Sequence, residues 1–324
     1  MIDRRRILLT LGAAALGLPL TAHAQTKVWR IGYLSLSSGP SIRDENFREG
    51  LRELGYVVDR NITIEYRWAG GNRERLQELA AELVGLKVDV IVTASSPVAE
   101  AAKRATRTIP IVMAAIGDAV GSGLIDSLAR PGGNITGLTM MSTDLANKRV
   151  QLLRELLPKA TRIAVLVLAN ATASQKMLEE MRPVAKQMGI QFVLQTLNDG
   201  GSLPGIFAAM QRERAQALIV QTNPISFDYR ARIAELAARQ RLPTIYEGSE
   251  FVEAGGFLSY GPSVNDMYRR SAIYIDKIFK GAKPADLPIE QPTKFEMAVN
   301  LKTAKALGVK IQNSILVQAS KVIE

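Results

Sequence analysis

From Val28 onward, short apolar runs alternate with longer amphipathic segments, joined by brief polar turns. Val88, Val90 and Val92, with Ile91 between them, carry branched side chains to both faces, the pattern of a strand covered on each side. Elsewhere apolar residues recur three and four apart, as in Phe47, Leu51 and Leu54, or Leu76, Leu79, Ala80 and Leu83. That spacing lines one face of a helix. Strand-length and helix-length patterns in alternation predict an α/β fold with parallel sheets.

The first predicted strand covers residues 29–36 and runs into a Ser-rich turn. Ser41 and Asp44 form a capping-box-like start to the next helix, and Gly55 is placed to end it. Ile62, Ile64 and Tyr66 alternate with polar residues, as in a strand near a sheet edge. Residues 121–130 read as helical and 135–139 as a strand. After a crossover at 140–143 a second series begins, with strands at 163–168, 190–194, 217–220 and 244–246. Its methionine-striped helix (Met177, Met181, Met188) contains Pro183, which should kink or split it. A second crossover is expected near Tyr260-Gly261-Pro262, then a helix capped by Ser263, a Pro-rich connector and a last strand at 295–299. The expected organisation is two similar doubly wound lobes joined by a multi-strand hinge. Residues 25–141 and 262–291 form lobe one, 142–261 form lobe two, and 292–324 form a tail at lobe two and the hinge.

Candidate chemistry gathers in residues 87–118. Ser95-Ser96-Pro97 follows a buried strand and opens a helix; a second buried run, Ile111-Val112-Met113, leads to Gly117-Asp118. Ligands of parallel sheets sit beyond the carboxyl ends of strands. A helix N-terminus for an anion and a carboxylate for an ammonium would suit a zwitterion. Taken singly, Ser95 and Ser96 equally read as plain caps, and Asp118 as a turn residue.

Composition narrows the chemistry. The chain has 324 residues, no cysteine and a single histidine, His23. Arg4-Arg5-Arg6, the apolar run 7–20 and Ala22-His23-Ala24 read as an export signal cleaved after residue 24, by the Tat or Sec route. Cleavage leaves 38 basic and 30 acidic residues, a net charge of +8, and removes the histidine. A mature chain without Cys or His has no thiol nucleophile, no disulfide, no Ser-His-Asp triad and no ordinary zinc site. The basic surplus is spread along helices with no nucleic-acid-binding module, so no nucleic-acid partner is expected. No dinucleotide or phosphate-loop motif occurs, and no cofactor or metal is expected.

Several long stretches carry a resemblance: GYVVDRNITIEYRWAGG (55–71), VDVIVTASSP (88–97), GDAVGSGLIDSLARPGGNITGL (117–138), RLPTIYEGSEFVEAGGFLSYGP (241–262) and KGAKPADLPIEQPTKFEMAVNLKTAKALG (280–308). In this order they resemble ABC-transporter substrate-binding proteins of the type I periplasmic-binding fold, in the branch with tryptophan- and phenylalanine-binding members. The resemblance implies two lobes, three crossovers, hinge closure on a small solute, and delivery to permease and ATPase subunits in the inner membrane by a periplasmic monomer. It places Ser35, Ser37, Ser95, Ser96 and Asp118 in the cleft from lobe one. Asn170, Asn223, Tyr246 and Glu247 would come from lobe two, with no catalytic residue. Tyr33, Phe47, Trp68, Tyr246 and Phe251 are candidate aromatic walls. Two rival classes remain: a periplasmic sensor that presents its liganded form to a receptor, and an enzyme using Asp118 and Glu247 for acid–base work.

Overall fold

The computed structural model describes residues 27–324, so the expected export signal lies outside the described residues. Two sheets organise the rest. The first contains β1 (Trp29–Ser35), β2 (Ile62–Trp68), β3 (Val90–Thr93), β4 (Ile111–Ile116) and β5 (Ile135–Thr139), in the order β2-β1-β3-β4-β5. Every pair is parallel. Helices α1 (Ile42–Glu53), α2 (Arg75–Gly85) and α3 (Ser96–Ala105) make its connections.

The chain then enters α4 (Ser142–Leu156), β6 (Arg162–Leu168), α5 (Thr172–Gln187), β7 (Gln191–Leu197) and α6 (Leu203–Arg212). β8 (Ala217–Val220), α7 (Pro224–Asp228), α8 (Arg230–Arg239), β9 (Thr244–Tyr246), α9 (Ser249–Glu253) and β10 (Leu258–Pro262) follow. Next, α10 (Val264–Phe279) returns to the first sheet, where it packs on α1 and β4. The tail supplies β11 (Phe295–Asn300), α11 (Leu301–Leu307), α12 (Asn313–Gln318) and β12 (Lys321–Ile323). The second sheet reads β12-β11-β10-β9-β8-β6-β7, with β11 antiparallel to β10. The architecture is α/β with two lobes. The chain passes between them after β5, after β10 and before β11.

Burial follows strand position. All residues of β3, β4 and β8 are buried, as expected for strands with helices on both faces, whereas β2 and β7 lie at edges and are only partly covered. Among the described residues no helix is long and apolar enough to cross a membrane.

Two local expectations are corrected. Residues 121–130 form turns and bends, not a helix. The Asp118 carboxylate accepts the Gly121 N–H at 2.8 Å, and Gly123 adopts φ +69°, so the backbone turns back before a helix can propagate. A Cβ at Gly121 would lie 2.0 Å from Asp118 Oδ2, so a side chain there would have to displace that carboxylate. Pro183 does not split its helix either: α5 runs unbroken through it. The proline falls close to the C-terminal end, where one missing backbone hydrogen bond is tolerated.

Lobe one is tightened by close approach of α1 and α10. A Cβ on Gly50 would sit 2.0 Å from the carbonyl oxygen of Arg269, a backbone atom that cannot rotate away. Gly50→Ala gains about 1 kcal/mol of helix propensity but overpacks the contact by about 3 kcal/mol. A net loss of about 2 kcal/mol is expected from these two terms, read as a lower urea midpoint with the slope unchanged. An unchanged midpoint would show that the helices can part freely.

Candidate functional site

Parallel sheets leave a crevice where connections from neighbouring strands depart to opposite faces. In the first sheet this point lies between β1 and β3, and in the second between β6 and β8. The segments that follow these strands meet across one cavity. Arg43, Ser95, Ser96, Gly117 and Met140 wall it from lobe one; Ala171, Ala173, Gln221, Thr222 and Asn223 wall it from lobe two. The cavity volume is about 40 Å³.

Each wall has a local cause. Ser95 is the N-cap of α3 in extended backbone, but its side chain makes no capping bond. Its Oγ is buried and has no hydrogen-bond partner. Pro97 completes a helix start whose amides face the cavity rim. On the opposite side α5 begins at Ala171, also without a side-chain cap. Two positive helix ends therefore look into one space from opposite lobes. Asn223 instead completes a capping box with Ser226 at the start of α7. Gln221 is held by Ser174 Oγ, which donates to Oε1 at 2.7 Å.

The structure brings Ser95, Ser96 and Asn223 to the cavity; Ser35, Ser37, Asp118, Asn170, Tyr246 and Glu247 do not line it. Ser35 Oγ accepts the Ser37 N–H at 3.1 Å, which shapes the turn after β1. Asp118 directs one carboxylate oxygen to its own turn. Asn170 is exposed in the left-handed region, φ +50°, one residue before the wall residue Ala171. Glu247 lies behind the wall, where Oε2 accepts the Thr222 N–H at 3.0 Å. Its other oxygen is 3.0 Å from Arg149 Nη1, both side chains being fully buried. Burial raises the Glu247 carboxyl above the usual range, against the pull of Arg149, and burial lowers the Arg149 guanidinium. The aromatic candidates pack in the body of each lobe. Tyr33 contacts Phe47 and Tyr66, Trp68 stacks on Tyr66, and Tyr246 stacks on Phe251.

Of the polar wall residues not foreseen (Arg43, Ser174, Gln221 and Thr222), Arg43 is the charged one. Arg43 stands in the first turn of α1, set by a capping box in which Asp44 Oδ2 accepts the Ser41 N–H at 2.7 Å. Only 6% of it is exposed. Its guanidinium lies 3.6 Å over the Phe227 ring, and Nη2 is 3.7 Å from Glu250 Oε1, beyond hydrogen-bond reach. Nε and Nη2 have no hydrogen-bond partner. A signal was present: a cation in the first turn of a helix opposes the helix dipole, so its placement calls for another reason.

Contacts cross the cleft: Ser38 N–H donates to Asp228 Oδ2 at 2.9 Å, Arg73 Nη1 donates to the Ala169 carbonyl, and Arg43 covers Phe227 and pairs with Glu250 at 3.7 Å. The lobes are together.

Comparison with known proteins agrees with this geometry. The family model described as ABC transporter substrate binding protein matches residues 33–323. A tyrosine-binding protein of Clostridioides difficile (strain R20291) is 26% identical over 282 residues, covering 86% of this chain and 81% of that protein. The crystal structure of an ABC domain in complex with L-Trp from Streptococcus pneumoniae is 26% identical, with a TM-score of 0.83 over 91% of this chain and 99% of that one. A ligand-free, open substrate-binding protein from Clostridium difficile has 25% identity and the same coverages, with a TM-score of 0.62.

Proposed function

The chain belongs to the ABC transporter substrate-binding proteins, and we propose that it is the periplasmic solute-binding component of an ABC importer. In this reading it takes a small organic solute, an amino acid or an aromatic or other carboxylate compound, between lobes that close about a hinge. Residues 25–141 with 262–291 would move as one lobe, and 142–261 with the tail as the other. The chain would be exported by its N-terminal signal, act as a monomer, and hand the solute to permease and ATPase subunits of the inner membrane.

One observation carries the reading. Segments that follow the strands at the switch point of each sheet line one cavity, in a chain of a substrate-binding family. The contacts of Arg43, Ser38 and Arg73 across the cleft support hinge closure, because each would break when the lobes part. The unequal likeness to a ligand-bound and an open relative, at 26% and 25% identity and the same coverage, supports it too. Closure is driven by the greater affinity of the closed form for solute.

Calorimetry with amino acids and small aromatic acids tests this directly. One solute should bind 1:1 with a Kd of about 1 μM or below, worth about 8 kcal/mol, and X-ray scattering should show the protein contracting on binding. A folded sample that binds no small solute would sink the proposal.

A further inference from the structure

We infer that the cleft is built to hold the carboxylate of an organic anion, with Arg43 and Ser95 as the residues that grip it, and that it does not require an amine on the solute. This rests on the cleft being the solute site and names the chemical class that the site selects. Among the described residues lining the cavity, Arg43 carries the only charged side chain. It is 94% buried by its 6% exposure, and two of its nitrogens lack hydrogen-bond partners. A buried guanidinium with unsatisfied N–H groups is costly unless a partner arrives, and a carboxylate is the partner its planar fork matches best.

The neighbouring polar group points the same way. Ser95 is 8% exposed, lines the cavity and has an unpartnered hydroxyl. It opens the ten-residue helix α3 without spending its side chain on the cap. A hydroxyl donor, the uncapped amides of α3 and a guanidinium thus bound the space from lobe one, all favouring negative charge. Across the cleft, α5 presents a second uncapped N-terminus beside Ala171 and Ala173. Among the described residues lining the cavity, none carries a carboxylate for an ammonium. The remaining lining (Ala94, Ala115, Met140, Leu168) is apolar and suits the body of a hydrophobic acid.

Arg43 also connects charge recognition to closure. The same guanidinium that would bind the anion stacks on Phe227, a lobe-two ring. An anion that orients Arg43 orders one half of that interlobe contact.

The test uses matched solutes on the full mature protein. The set is 3-(indol-3-yl)propionate, L-tryptophan and tryptamine, with the corresponding phenyl and isobutyl series, titrated by calorimetry. The acids should bind at least as tightly as the amino acids, and the amines at least 100-fold more weakly. Arg43→Gln should weaken every acid by 30-fold or more and Arg43→Lys by less, while Ser95→Ala costs about tenfold. Amines binding as well as acids, or Arg43→Gln within threefold of the wild type while folded, would overturn the inference and leave the solute-binding reading standing. The solute series on the unmodified protein decides the matter even where a variant misfolds. If no member of any series binds the unmodified protein, both readings fall together.

Discussion

Glu247→Gln should lower the free energy of unfolding by about 3–5 kcal/mol, the usual loss when one member of a buried ion pair is removed. The pair does more than join two charges. Arg149 Nε donates to the Tyr260 carbonyl at 2.9 Å, on the strand that precedes the second crossover. Its Nη1 reaches the carbonyl of Ser142, where the first crossover ends. Glu247 meanwhile accepts from Thr222, a cavity wall. Glutamine keeps the size and an acceptor for Thr222 but leaves the Arg149 charge buried without a counter-ion. Arg149→Met should be as damaging for the mirror reason. The double variant Arg149→Met with Glu247→Gln should recover most of the loss, because burial weakens the charged form of both partners. Urea unfolding of the four proteins gives the coupling energy. Additive losses in the double variant would show that the charges act separately.

The second large effect is on binding. Ala173→Phe should raise the solute Kd by more than 100-fold, about 2.8 kcal/mol, with little change in stability. Ala173 lines the cavity from the first turn of α5 and stands opposite Gly117, where a Cβ would come within 3.9 Å of its own. A phenyl ring there would fill the solute space and hold the lobes apart. In an open cleft that ring points to water, so folding is little affected. X-ray scattering should report a larger radius of gyration that added solute no longer reduces. Tight binding by a compact Ala173→Phe protein would place the solute elsewhere.

The local pattern of the chain determined much of this architecture, because period and capping are short-range properties. Branched runs such as Val90–Thr93 specified covered strands, the alternation at Ile62, Ile64 and Tyr66 marked an edge strand, and Ser41 with Asp44 announced the start of α1. That Ser95 lines the cavity was legible because Ser-Ser-Pro after a buried strand opens a helix at a sheet's carboxyl edge. The resemblance of long segments to one family foretold its two lobes.

Only the tertiary structure decided which side chains meet. Ser38 and Asp228 touch across the cleft from 190 positions apart, and no periodicity encodes such a contact. The bond from Gly121 N–H to the Asp118 carboxylate likewise depends on how the chain turns after β4. Arg43 looked like one more basic surface residue until lobe two arrived over it with Phe227 and Glu250, removing water and leaving Nε and Nη2 without a hydrogen bond. Burial and charge environment are products of the whole packing, which is why the group best suited to grip a solute was the one that local reasoning passed over.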